Sequence, residues 1–129
     1  MKVFERTSDS GWGNRLNVVD ENNVVVGFDY DSSCCENFGH VFLTGIPAKV
    51  DGDELTSIEF DHTKFVFDTT FFKDNLGLCK YDSGGACAFR LTNKEGAEVF
   101  LILYNHHSGY YAHGFDMEVG GKKLYKGSL

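Results

Sequence analysis

The stretch CAFRLT-NKEG-AEVFLILY, residues 87–104, decides the fold class. Two apolar runs flank four turn-forming residues, and this pattern predicts a β-hairpin. The second run is apolar on both strand faces from Val99 to Tyr104. Such a strand normally lies in the middle of a sheet and is covered on both sides. The stretch therefore predicts a sheet with a second layer packed against it.

Outside this hairpin, the same strand and turn patterns recur toward both ends of the chain. Residues 15–19 and 24–28 are rich in β-branched side chains and are separated by the polar residues 20–23, which predicts another hairpin. Residues 110–119 alternate between apolar and polar side chains, as a half-buried strand does. Gly120-Gly121 then predicts a tight turn into residues 122–125, whose lysines are typical of an edge strand.

Three segments have less regular patterns. Residues 34–43 fit either a short helix or a strand. Residues 55–60 and 63–67 are predicted to pair as extended segments across Asp61-His62, and residues 69–78 are expected to include a turn of helix. About eight short extended segments with turns between them predict a mostly β fold, an antiparallel β-sandwich or partly open barrel with at most one or two short helices. Without a linker or a repeat, residues 1–129 are predicted to form a single β-rich domain.

Composition and charge exclude some classes of function. Twelve basic and nineteen acidic side chains give a formal charge of −7, which disfavours direct binding to nucleic acid. No apolar run approaches the roughly 18 residues of a membrane helix, so no membrane association is expected. Four cysteines without a signal peptide are typical of reduced thiols in a cytoplasm, and the fold is expected to need no cofactor.

Two short clusters hold most of the unusual residues: Asp31-Ser32-Ser33-Cys34-Cys35-Glu36 and residues 105–115, which read NHHSGYYAHGF. An acidic residue shortly before Cys-Cys-Glu, and later an apolar strand ending in a polar Gly-Tyr-Tyr turn, resemble an uncharacterised family of small phage and prophage proteins. The resemblance covers the order of elements and is sharpest at these two motifs. It implies a viral or mobile-element context, in the cytoplasm of the host cell, and supplies no catalytic residues.

The second cluster favours ligand binding. We expect His106 and His107 to lie exposed in a turn, followed by Tyr110 and Tyr111, so that flat rings with polar edges could stack on a base or pack into a protein groove. In the alternative interpretation, Tyr111, His113 and Phe115 simply fill the core face of a strand. Glu36 and Arg90 complete the predicted ligand-binding set.

A catalytic interpretation uses the same clusters. Cys34 or Cys35 could act as a nucleophile activated by His106 or His107, with Glu36 or Asn105 as the orienting group, or the thiols and imidazoles could bind zinc. Adjacent cysteines point to opposite faces of a strand, which does not suit a standard zinc site. A metal-dependent or Cys-dependent hydrolase is therefore the alternative hypothesis.

The resemblance, joined to the aromatic and histidine side chains of the second cluster, favours a non-enzymatic binding protein of phage type over an enzyme. The expected role is counter-defence, either by sequestering a small nucleotide signal or by blocking a host defence protein. Because a small sandwich fills its own interior, a small ligand would lie between subunits, and a homo-oligomer is expected in that case.

Overall fold

The described residues form two antiparallel sheets, one of five strands and one of four, which pack face to face. The computed structural model describes residues 1–7, 14–30, 36–50, 55–76, 83–107 and 113–129. The strands are β1 (Lys2–Thr7), β2 (Asn14–Val19), β3 (Val24–Asp29), β4 (Glu36–Leu43), β5 (Val66–Asp74), β6 (Ser83–Thr92), β7 (Glu98–His107), β8 (Gly114–Val119) and β9 (Lys122–Ser128). A 3₁₀ turn, His62–Lys64, is the one helical element in these ranges. The predicted antiparallel sandwich is confirmed.

The strand order is β1-β2-β3-β8-β9 in the five-stranded sheet A and β4-β7-β6-β5 in the four-stranded sheet B. Both predicted hairpins form, β2 with β3 and β6 with β7. The terminal strand β9 lies at an edge of sheet A, as its lysines predicted. Gly120 and Gly121 have φ angles of 57° and 85°, the positive values that a two-residue hairpin turn between β8 and β9 requires. Within the described ranges, no helix is long and apolar enough to cross a bilayer.

Sheet B is buried on both faces. Its inner face packs on sheet A through the main core, while its outer face packs under the connection from β4 to β5, including Ile46, Val50 and Leu55. Strand β7 contributes to both layers, with Leu101 and Leu103 inside and Ile102 outside. This arrangement confirms the expectation that the doubly apolar strand is covered on both sides.

The chain between β4 and β5 differs from its predicted course. Residues 55–61 form no strand with residues 63–67, and instead run beside β4, where Ile58 N donates to Phe42 O at 2.9 Å. The predicted pairing fails because Asp61 caps the 3₁₀ turn, its Oδ1 accepting from Thr63 N at 3.1 Å. The helical turn expected within residues 69–78 is also wrong for residues 69–74, which continue strand β5.

A buried carboxylate ties the two sheets together. Asp20, at the β2–β3 turn, is 5% exposed. Its Oδ1 accepts from Asn22 N and Val24 N, both at 2.9 Å, and its Oδ2 accepts from Phe67 N on β5 at 2.8 Å. One side chain thus closes a hairpin of sheet A and anchors it to sheet B.

Candidate functional site

The two sequence clusters meet at one end of the sandwich. Strand β4 begins at Glu36, directly after the Cys-Cys pair, and its antiparallel register places Glu36 opposite His107 and Asn37 opposite His106 on β7. The polar ends of the two motifs are therefore neighbours, although 71 positions separate Glu36 from His107 in the chain. Of the predicted site residues, Cys34, Cys35, Tyr110 and Tyr111 lie outside the described residues.

A buried carboxylate–imidazole pair joins the sheets at this end. Glu36 Oε2 lies 2.8 Å from His113 Nε2, and the two side chains are 2% and 7% exposed. The other ring nitrogen, His113 Nδ1, lies 2.6 Å from the carbonyl oxygen of Asp29 at the end of β3. The Phe38 ring stacks on the imidazole with centroids 4.1 Å apart.

The hydrogen-bonding roles of the contacting atoms require one proton between Glu36 and His113. A carbonyl oxygen only accepts, so His113 Nδ1 donates to Asp29. One further proton lies between His113 Nε2 and Glu36 Oε2, carried either by an imidazolium facing a carboxylate or by a carboxylic acid facing a neutral imidazole. Both ring nitrogens are engaged and the ring face is covered, so the pair is a clamp between β3, β4 and the start of β8.

His106 and His107 do not lie in the exposed turn that the sequence suggested, because β7 continues through both of them. Side chains alternate along a strand, so the two imidazoles point to opposite faces of sheet B. His106 is 0% exposed, beside Tyr104 on the outer face, and the prediction that it is exposed is wrong. His107 is half-buried on the inner face. The two imidazoles therefore cannot act on one ligand from the same side.

Arg90 lies apart from this end of the molecule. It is on the outer face of sheet B, where its Nε donates to Asp68 Oδ2 at 3.0 Å and its Nη1 lies 3.4 Å from Glu98 Oε1. The guanidinium carbon sits 5.0 Å from the centroid of the Phe71 ring. The structure therefore does not bring Arg90 together with His107.

The Arg90 network makes a testable contribution to acid stability. The Thr70 hydroxyl, which donates to Asp68, and the Arg90 guanidinium lower the pKa of the Asp68 carboxyl from 3.8 to about 2. A carboxyl with a lowered folded pKa stabilises the protein above its unfolded pKa, and this stabilisation is lost as the pH falls toward the folded value. Between about pH 5 and pH 2, the wild type should lose about 1–2 kcal/mol more unfolding free energy than Asp68→Asn in urea titrations. An equal loss in both proteins would contradict the assignment.

A cleft of about 520 Å³ opens at the end of the sandwich where β5 stops. Its deeper wall contains Phe72, Phe115 and the half-buried His107, and its exposed rim carries Asp74 and Asn75. The first residues of β6 and the last residues of β9 form its two sides. The volume falls in the range of roughly 300–1,000 Å³ that is usual for ligand pockets.

Strand β9 turns toward this cleft backbone groups that do not bond to β8, its neighbour among the described strands. Leu129 N donates to His113 O and His113 N donates to Leu129 O, both at 2.9 Å, so these residues form a hydrogen-bonded pair of the antiparallel ladder. Such pairs alternate along the strands. The pairing of β8 with β9 continues without a register shift from Ser128 to Tyr125. The N–H and C=O groups of Lys126 and Ser128, which lie between the hydrogen-bonded residues, therefore point away from β8. Since β9 is the last strand of sheet A in the described part of the chain, they point away from the sheet, and both residues line the cleft.

The opposite side of the cleft is formed by β6. Asn93 N donates to Ala97 O at 3.3 Å, and alternation from this pair along the unshifted β6–β7 register directs the backbone groups of Ala86 toward β5. The described pairing of β5 with β6 ends at Asp74, opposite Cys87. The backbone groups of Ala86 therefore face the gap beyond the end of β5, and Gly84 also lines the cleft.

Two residues beside this gap have left-handed or other positive-φ backbone conformations. Asn75 has a φ of 54°, and this left-handed conformation ends β5. Gly84 has a φ of 116°, and a Cβ built on it would lie 1.9 Å from Asn105 O, so no other residue fits there without rearrangement. In the sequence, this gap is marked by the pair Gly84-Gly85, which does not belong to a phosphate-binding loop. That the pair lies beside the end of β5 follows only from the order of the strands in sheet B.

The side chains of the cleft offer little charge. Asp74 supplies a carboxylate and His107 an imidazole, whereas Lys126 is the register partner of Asp116, on the outer face of sheet A. Among the described residues, no cluster of three or more His, Cys, Asp or Glu side chains is placed to hold a metal ion. Burial raises the pKa of the Cys87 thiol, which suits an inert core residue rather than a nucleophile. No protein-family model, curated protein or solved structure matches the chain.

Proposed function

We propose that this protein is a non-enzymatic binding protein that takes an extended segment of another protein in the cleft, as a strand added beside β9. The observation that carries the proposal is the outward direction of the Lys126 and Ser128 backbone groups at the free edge of sheet A. Strand addition uses such groups for affinity and neighbouring pockets for specificity. The counter-defence role hypothesised from the sequence would then be exercised by blocking a host protein.

The side-chain chemistry of the cleft supports this choice over an anion site. A phosphate group is usually met by several cationic or N–H donors converging on one point. Here the Lys126 side chain lies on the outer sheet face and Asp74 adds a negative charge at the rim. Main-chain donors and acceptors of β9, with the Phe72 and Phe115 rings beneath them, suit an extended peptide better.

A proline at Ser128 tests the proposal. The Ser128 N–H points away from β8, so Ser128→Pro removes a donor at the free edge without removing a β8–β9 hydrogen bond, and proline is tolerated at such edge positions. In selections from a displayed library of random peptides, we expect wild-type binders to lose about tenfold or more in affinity for this variant.

The matched control is Lys123→Pro on the same edge. Lys123 lies beyond the bulge at the hairpin end of β9, and its register partner is Glu118. Circular dichroism should show both variants folded. Selected peptides should bind the Lys123→Pro protein as they bind the wild type. If Ser128→Pro folds and binds every selected peptide at wild-type affinity, the free edge of β9 is not the binding site. The variant Gly85→Val places a side chain in the cleft and should likewise weaken the binding of the selected peptides, without the use of proline.

A small nucleotide-like ligand is the second candidate. It is favoured by the half-buried His107 ring beside Phe72 and Phe115, which together offer an imidazole and aromatic surface. Native mass spectrometry of the protein with a panel of mononucleotides and cyclic dinucleotides, recording oligomer mass as well, tests it. Such a ligand should be lost in His107→Ala and retained in Ser128→Pro, whereas a peptide strand should show the opposite pattern.

A further inference from the structure

The charges along β9 indicate what kind of segment the free edge accepts, if the proposed function holds. Strand β9 contains Lys122, Lys123 and Lys126 and no acidic residue. This is a quarter of the twelve basic side chains of a protein whose formal charge is −7. Lys123 and Lys126 share the outer face of sheet A, since their register partners are Glu118 and Asp116.

On the outer face of sheet A, the distances within a sheet make these lysines the charges nearest to an added strand. Directly opposed side chains on adjacent strands have Cβ atoms about 4.5–5.5 Å apart, whereas the acidic residues of β8 would lie two strands away, at roughly 10 Å. Asp116 is also engaged already, with its Oδ1 2.6 Å from Arg15 Nη2 and its Oδ2 3.7 Å from Lys123 Nζ. A strand beside β9 therefore meets positive charge on its outer face.

The same charges disfavour a second copy of this chain as the occupant. Two β9 edges paired across a two-fold axis would bring their lysines together, and like charges directly opposite each other destabilise a sheet. On the inner face, the added strand would instead meet Phe115, Phe72 and Leu129 at the wall of the cleft. Apolar side chains fit that face.

We propose that the segment bound at β9 is an acidic strand of alternating pattern, with carboxylate side chains on the outer face beside Lys126 and apolar side chains directed into the cleft. The period of two places one set of side chains on each face. This inference rests on the proposed function and adds the chemical identity of the partner segment.

The test uses two capped synthetic peptides of about six residues, the length of an ordinary strand. Both carry valine at alternate positions, and one has glutamate and the other lysine at the positions between. Amide shift titrations should place the glutamate peptide at residues 126–129 and show it binding about tenfold more tightly than the lysine peptide at low salt. The preference should shrink toward about 0.5 M salt, where exposed charges are screened.

The charge-reversal variant Lys126→Glu should invert the preference between the two peptides. Its matched control, Lys94→Glu in the β6–β7 turn, makes the same change in net charge at an exposed position outside the cleft and should leave the preference unchanged. Equal binding of both peptides at β9 would overturn the acidic assignment and leave the proposed function standing. If neither these peptides nor any library-selected peptide changes the amide shifts of residues 126–129, both the acidic assignment and the proposed function fail.

Discussion

Replacing Asp20 with alanine is expected to lower the free energy of unfolding by about 3–5 kcal/mol, the usual cost of removing one partner from a buried charged network. The carboxylate is 5% exposed and accepts three backbone hydrogen bonds, from Asn22, Val24 and Phe67. Without it, the Val24 and Phe67 amides lose their acceptor inside the protein. Urea unfolding followed by circular dichroism measures the change.

Asn93→Ala is the matched control for this prediction. Asn93 Oδ1 also accepts two backbone hydrogen bonds in a hairpin turn, from Glu95 N at 3.0 Å and Ala97 N at 2.9 Å, but both bonds are exposed. Water replaces such an acceptor at little cost, so we expect a loss of about 1 kcal/mol. If the two variants lose the same stability, Asp20 does not act as the clamp between the sheets.

Removing Glu36 should have the second largest effect. Glu36→Ala leaves His113 Nε2 buried without its partner at 2.8 Å, and we expect a loss of about 3 kcal/mol. Glu36→Gln keeps a side chain that can bond a neutral imidazole, so its loss should be about half as large. The double variant Glu36→Ala/His113→Ala should be less destabilised than the sum of the single variants by about 1–3 kcal/mol. Additive losses would show that the two side chains do not interact.

The hairpins were predictable from sequence because their information is local. The turn at residues 93–96 and the glycine pair at Gly120-Gly121 each lie between the strands that they join, so turn chemistry and alternation agree within a short window. Strand β1 (Lys2–Thr7) gave no comparable signal, because its apolar residues Val3 and Phe4 are adjacent and the strand shows no alternation.

The candidate site was only partly predictable. The sequence pointed to the two motifs that meet through Glu36 and His107, but it placed His106 and His107 in a turn, where the alternation that separates their side chains does not apply. The bond between Glu36 and His113 spans 77 positions and depends on how the two sheets stack. The lysines of residues 122–125 predicted that β9 is an edge strand, but the cleft beside it depends on how the two sheets stack.

Amide hydrogen exchange along β9, measured with and without a library-selected peptide, tests the central claim most directly. In the free protein, we expect the Gly127 and Leu129 amides to exchange slowly, because they point to β8, and the Lys126 and Ser128 amides to exchange fast. Saturating peptide should protect Lys126 and Ser128 and leave the other two unchanged. A peptide that binds while Lys126 and Ser128 still exchange fast would contradict strand addition at β9.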